Sequence, residues 1–128
     1  MDNLVLQGSQ KIPQINFNAS TGVLSISGRC IPEHSVEFFE PLEKWVKHYG
    51  DEAQPVTVVD VYLDYFNTSS SKCLLDLLRQ IEALDLAKKT TMQVKWRYIE
   101  EDEDMQEAGE DYANMIDASF ELIEMDED

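Results

Sequence analysis

Two periodicities alternate along this chain, and together they predict an α/β fold with helices packed against a mixed β-sheet. Short runs of β-type alternation fill roughly the first 30 residues, and helical and strand patterns then follow one another as α-β-α-β-α-β. With 128 residues, 43% of them hydrophobic, the chain is long enough to bury a proper core, and one domain over 1–128 is expected.

The opening segments IPQINFN and GVLSISG flank NASTG, whose Asn, Ser and Gly are turn formers, so an N-terminal β-hairpin is expected. In IPEHSVEFFEPLEKWVKHYG, Val36, Phe39, Leu42, Val46 and Tyr49 recur at helical spacing, with Phe38 and Trp45 widening the stripe. An aromatic stripe at this spacing marks a core face. His34 or Ser35 is placed to cap this helix and Gly50 to end it. Pro41 requires either a helix that begins near it or a bend, because proline removes an amide donor. The run PVTVVDVYLDYF, 55–66, is apolar at both parities, the pattern of a central strand covered on both faces. Leu74, Leu77, Leu78, Ile81 and Leu84 then mark a helix reaching about Lys88. TMQVKWRYIE alternates cleanly, with Met92, Val94, Trp96 and Tyr98 on one side. A third helix is expected from about Asp104 to Ala118, and FELIEM as a closing strand.

The net charge of −16 is concentrated at one end: residues 100–128 contain 14 acids and no Lys or Arg, so the first 99 hold 12 acids against 10 bases. Nucleic acid is excluded as a partner class, because phosphate binding needs basic clusters. An acidic quarter of this kind is either a solvated face or a means of steering toward a basic surface. No apolar run approaches a membrane span, and MDNLVLQGSQ has no basic, apolar leader, so a cytoplasmic protein without membrane partners is expected. Cys30 and Cys73 have no metal-ligand spacing and are expected as free thiols, Cys73 as a packing residue.

Catalytic patterns are scarce. There is no GxGxxG, Walker loop, HExxH or GxSxG, and His34 and His48 make a poor metal or catalytic pair. No cofactor and no metal is expected. The one alternative is a Mg²⁺ enzyme using Asp60 and Asp64, which a regular strand would aim to the same side.

The strongest signal is NTSSS, where strand becomes helix. Asn67 and the hydroxyls of Thr68, Ser69, Ser70 and Ser71 can cap the helix that follows. Four hydroxyls exceed what a cap needs, and a helix N-terminus also favours a phosphate. A phosphoryl group on Thr68 would bring about −1.5 to −2 charges. Lys72, one turn on, is spaced to reach it, and Asp64 is the expected repelling charge. Capping and phosphoregulation both remain open on these residues alone.

This strand–hydroxyl loop–helix arrangement resembles the STAS domains of anti-sigma-factor antagonists, which are phosphorylated at the start of the corresponding helix. A closer resemblance is to the SiaC family of bacterial regulatory phosphoproteins, whose fold is STAS-like. It is carried by GRCIPEHSVEFFEPLEKWVKHY, 28–49, with its PE and FF-PL-W pattern, and by LDYFNTSSSKCLLDLL, 63–78. The resemblance implies a non-enzymatic switch in which Thr68 is phosphorylated by a dedicated serine/threonine protein kinase and cleared by a PP2C-like phosphatase. The unphosphorylated form then binds an effector, in the characterised branch a diguanylate cyclase, which ties the switch to cyclic di-GMP. On this reading Phe66 and Asn67 frame the docking site, with Ser69, Ser70 and Lys72 beside it, and a phosphate there opposes docking. The alternative output is partner switching on an anti-sigma factor.

Overall fold

The computed structural model describes residues 1–126; Glu127 and Asp128, the last two acids of the acidic quarter, lie outside the described residues. The elements are β1 (Leu4–Leu6), β2 (Gln14–Asn18), β3 (Val23–Cys30), α1 (Ser35–Tyr49), β4 (Val56–Phe66), α2 (Thr68–Leu86), β5 (Thr91–Ile99), α3 (Glu103–Met115) and β6 (Ser119–Met125). They form a six-stranded mixed sheet in simple sequence order, antiparallel from β1 to β3 and parallel from β3 to β6. The α/β mixed sheet with an N-terminal hairpin is the fold that the alternation of periods predicts. The hairpin turn is fixed locally: Asn18 Oδ1 accepts the N–H groups of Ser20 and Thr21 at 2.9 and 3.1 Å. β1 is an added edge strand, and three residues are too few to leave a period in the sequence.

Because β3 to β6 are parallel neighbours joined in order by helices, right-handed crossovers put α1, α2 and α3 on the same face of the sheet. Burial follows that asymmetry. Thr57, Val59, Val61 and Leu63 of β4 are buried under the helices, whereas Val58, Asp60 and Tyr62 are half-buried on the open face. The expectation that 55–66 is covered on both sides is therefore corrected. Its β-branched and aromatic outward residues suit a pleated, half-exposed surface.

α1 is continuous from Ser35, so Pro41 neither starts it nor divides it. Pro41 and Glu37, whose carbonyl loses its helical donor, are both exposed, so water can take the missing place. His34 occupies the N-cap position without a side-chain capping bond. The third helix is shorter than its periodicity predicts: Ile116 is already extended and buried, and the chain turns there toward β6. The helix after the hydroxyl loop ends at Leu86, two residues short of the limit its spacing predicts, and Lys88 has the left-handed φ of 63° that reverses the chain.

Phe39, Leu42, Trp45, Val46 and Tyr49 put α1 into the core, as its stripe predicts; Val36, expected in the same stripe, is instead exposed in the first turn, and Phe38 is half-buried at the margin. Trp45 stacks on Tyr49 with centroids 5.0 Å apart. Under α3 the fully buried Trp96 donates its indole N–H to the Met105 carbonyl at 2.9 Å. α3 can approach so closely because Gly109 lies over that ring: a Cβ there would sit 2.4 Å from Trp96 Cδ1. Ordinarily Ala is favoured over Gly inside a helix by about 1 kcal/mol. Here Gly109→Ala should instead destabilise the protein by about 1–3 kcal/mol through overpacking, read as a lower urea midpoint at unchanged m-value.

Candidate functional site

The strand leading to the hydroxyl loop changes parity just before it. Leu63 pairs with Gly28 and Tyr65 with Arg29, so Asp64 is an extra residue in β4. Gly28 takes φ +100° opposite this bulge, a conformation that strongly favours glycine. One consequence is that Phe66, not Tyr65, turns under the helices, where it meets Trp96 and Tyr112 at centroid distances of 6.3 and 6.4 Å. Tyr65 is left 55% exposed. Another is that Asp60 and Asp64 are not two equivalent positions of one regular strand. Asp60 spends both carboxylate oxygens on Arg97, at 2.9 and 3.1 Å, and holds that guanidinium's pKa above its ordinary value. The Mg²⁺ alternative loses its first ligand to this pair, and no grouping of three or more metal-ligating side chains occurs among the described residues.

Asn67 is the N-cap of α2, its Oδ1 accepting the Ser70 N–H at 2.9 Å. Thr68 is the first helical residue and is exposed, so its hydroxyl is free of the capping role. The first turn of α2 contains no acid, and the helix dipole presents partial positive charge there. Lys72 is exposed one turn on, on the same side as Thr68. Ser71 turns its hydroxyl back to the Thr68 carbonyl at 2.7 Å.

Ser69 and Ser70 behave differently from Thr68. Ser35 Oγ shares hydrogen bonds with Ser69 Oγ at 2.7 Å and Ser70 Oγ at 3.1 Å, which ties the N-termini of α1 and α2 together. Ser35 is thus diverted from capping its own helix, the role its position suggests. Ser70 is 1% exposed, so its expected place on the docking surface is corrected: it is an interior bolt between helices. Behind it lie Cys30 and Cys73, both buried free thiols, with burial raising the pKa of each. From the other side Tyr112 of α3 donates its hydroxyl to the Ser71 carbonyl at 2.8 Å, and burial pushes its phenol pKa well up, so it stays a donor.

The loop is therefore an exposed Thr68 on a pinned frame. Phe66, Asn67, Thr68, Ser69 and Lys72 come together at one end of the molecule, with Phe66 and Asn67 half-buried. Ser35 and Tyr112, which hold the frame from α1 and α3, are not identifiable as such in the sequence. Ser35 reads as a cap and Tyr112 as one more stripe residue, because both bonds span more than 30 positions. The cap is directly testable. Asn67→Ala should cost about 1 kcal/mol of unfolding free energy, whereas Asn67→Asp, which keeps the acceptor and suits the dipole, should cost little. Urea denaturation of the pair checks this.

A helix N-terminus that presents an exposed hydroxyl on a hydrogen-bonded frame suits a regulatory, partner-binding protein. The profile of the SiaC family regulatory phosphoproteins matches residues 6–125, and this chain belongs to that family. An uncharacterized protein of Pseudomonas aeruginosa (strain UCBPP-PA14) is 31% identical over 120 residues, covering 94% of this chain and 93% of that protein. Among solved structures, apo-SiaC of P. aeruginosa superposes with a TM-score of 0.87 at 28% identity, over 96% of this chain and 99% of that one. SiaC of P. aeruginosa in complex with the diguanylate cyclase SiaD, whose activator it is, matches with a TM-score of 0.83 at 29% identity, over 96% of this chain and 98% of that one. The mixed α/β fold with the helices in this order is thus shared with the SiaC structures.

Proposed function

We propose that this chain is a non-enzymatic signalling switch, reversibly phosphorylated on Thr68, whose unphosphorylated form binds and regulates a diguanylate cyclase. The observation that carries the reading is the exposed Thr68 hydroxyl at the first position of α2, in a member of a family of regulatory phosphoproteins. A serine/threonine protein kinase writes the mark and a PP2C-like phosphatase erases it. The cyclase is favoured over an anti-sigma factor as effector because a SiaC relative forms a complex with a diguanylate cyclase. The anti-sigma-factor output rests only on the resemblance of the strand–hydroxyl loop–helix arrangement to STAS-domain antagonists.

The switch works by local charge and desolvation. An unmodified hydroxyl loop can be covered by a partner at small cost. A phosphate bearing about −1.5 to −2 charges must first be stripped of water. The helix dipole and Lys72 stabilise that phosphate on the free protein, deepening the cost of covering it. Phe66, Asn67, Ser69 and Lys72 form the contact around it; Ser70 supports from within.

The test combines phosphopeptide mapping of protein from its own host with affinity measurements to its cyclase. One phosphate, absent from Thr68→Ala, is expected. The unphosphorylated form should bind at least about tenfold more tightly than the phosphorylated form, the scale of a modest unfavourable electrostatic contact. A cyclase bound equally by both forms, or a phosphate that persists in Thr68→Ala, would overturn the reading.

A further inference from the structure

Beside the hydroxyl loop, the first turns of α2 and the outer side of α3 enclose a trough. Its larger part, of about 310 Å³, is lined by Phe66, Leu75, Ala108, Tyr112 and Met115 together with Ser71, Lys72 and Asp111. Phe66 and Ala108 also line a smaller neighbouring hollow of about 150 Å³, bordered by Asp64, Tyr65, Asp102 and Asp104. The floor is therefore aromatic and aliphatic, and Met115 is left 44% exposed at one end and Tyr65 55% exposed at the other. The rim is acidic: Asp64, Asp104 and Asp111 are exposed, and Glu107 and Glu110 continue the charge along α3. Lys72 is the one cation among the described residues that line the two hollows.

We infer that this trough is a second docking surface, adjoining the Thr68 contact and sharing Phe66 and Lys72 with it, and that it receives a segment of a protein partner bearing an apolar anchor flanked by Lys or Arg. An apolar anchor is required to cover Phe66, Leu75 and Ala108, and positive flanks are required by the carboxylates around them. A second copy of this chain would bring another −16 of net charge against the same rim, so self-association there is opposed.

The response to phosphorylation separates the two surfaces. A phosphate on Thr68 lies within one helical turn of Lys72 and draws that ammonium toward itself. The trough then loses its one cation while the end of the molecule gains negative charge. A basic segment is held as tightly as before or more tightly, whereas the effector that covers Thr68 is released. The trough thus serves partners that must engage the protein in both states.

The test uses fluorescence anisotropy with a synthetic peptide carrying a Leu-Phe anchor between arginines, titrated with the full chain. Controls replace the arginines with glutamates or the anchor with serines. Ala108→Trp fills the floor and Asp111→Lys reverses the rim; urea denaturation verifies that each is folded, and Asp111→Lys, at an exposed position, carries the test should Ala108→Trp fail to fold. The expected result is binding that weakens about tenfold in either variant and with either control peptide, and that weakens as salt rises. Equal binding to wild type and the folded variants would overturn the trough as the site. A wild-type dimer that Asp111→Lys or Ala108→Trp alters would assign the trough to a second copy and also overturn it. Peptide affinity lost on phosphorylation would overturn the separation of the surfaces. None of these outcomes bears on whether Thr68 governs the cyclase, which is read by cyclase affinity alone.

Discussion

Asp64 has no partner position on β3, and the direction in which the chain leaves β4 depends on that extra residue. In an unbroken alternation the residue after Leu63 to face the helices would be Tyr65, and Phe66 would point to solvent. The bulge shifts the parity by one. Phe66 closes the aromatic cluster with Trp96 and Tyr112, and Asn67 arrives where its side chain can cap α2. The Asn67 N–H meanwhile bonds the Cys30 carbonyl at 3.2 Å, so the turn is fastened to the end of β3 before the helix begins. Thr68 is exposed because the residue before it does the capping and Ser70 after it is bolted inward.

The frame around Thr68 draws on every helix. Ser35 joins the start of α1 to the start of α2, Tyr112 joins α3 to the first turn of α2, and Gly109 lets α3 lie low enough on Trp96 for that reach. Such a frame suits a switch that changes surface charge while its backbone stays in place. A phosphate at the first helical position would be favoured by the dipole by about 0.3–1 kcal/mol, so the proposed modification would reinforce the helix it sits on. The difference between the two states then lies in what a partner must desolvate. The acidic face of α3 adds a standing negative field.

Much of this was legible in the sequence, because period and turn chemistry are local. The hairpin, the alternation of helix and strand, the core stripe of α1 and the helix start at NTSSS all follow from spacing alone. The features missed are relations between distant residues. The open face of the sheet was obscured because Val58 and Tyr62 are as β-prone as the residues buried opposite them. The bulge leaves no mark in VYLDYFN, since Asp64 looks like any outward residue of an alternating strand. Ser70 and Ser69 are chemically identical in the sequence; Ser35, far upstream, bonds both, and burial alone makes Ser70 an interior residue. Within the acidic quarter the spacing does foretell α3 and β6, but not that Met105, Tyr112 and Ile116 anchor it to the core.

The central claim is that phosphorylation acts on a preformed, pinned surface. Amide hydrogen exchange across residues 66–75, compared between unmodified and Thr68-phosphorylated protein, tests it most directly. Unchanged or greater protection in the first turns of α2, with the Ser70 amide still protected by Asn67, is the predicted result. Loss of protection through that segment on phosphorylation would mean that the switch melts the helix start, and would contradict the account.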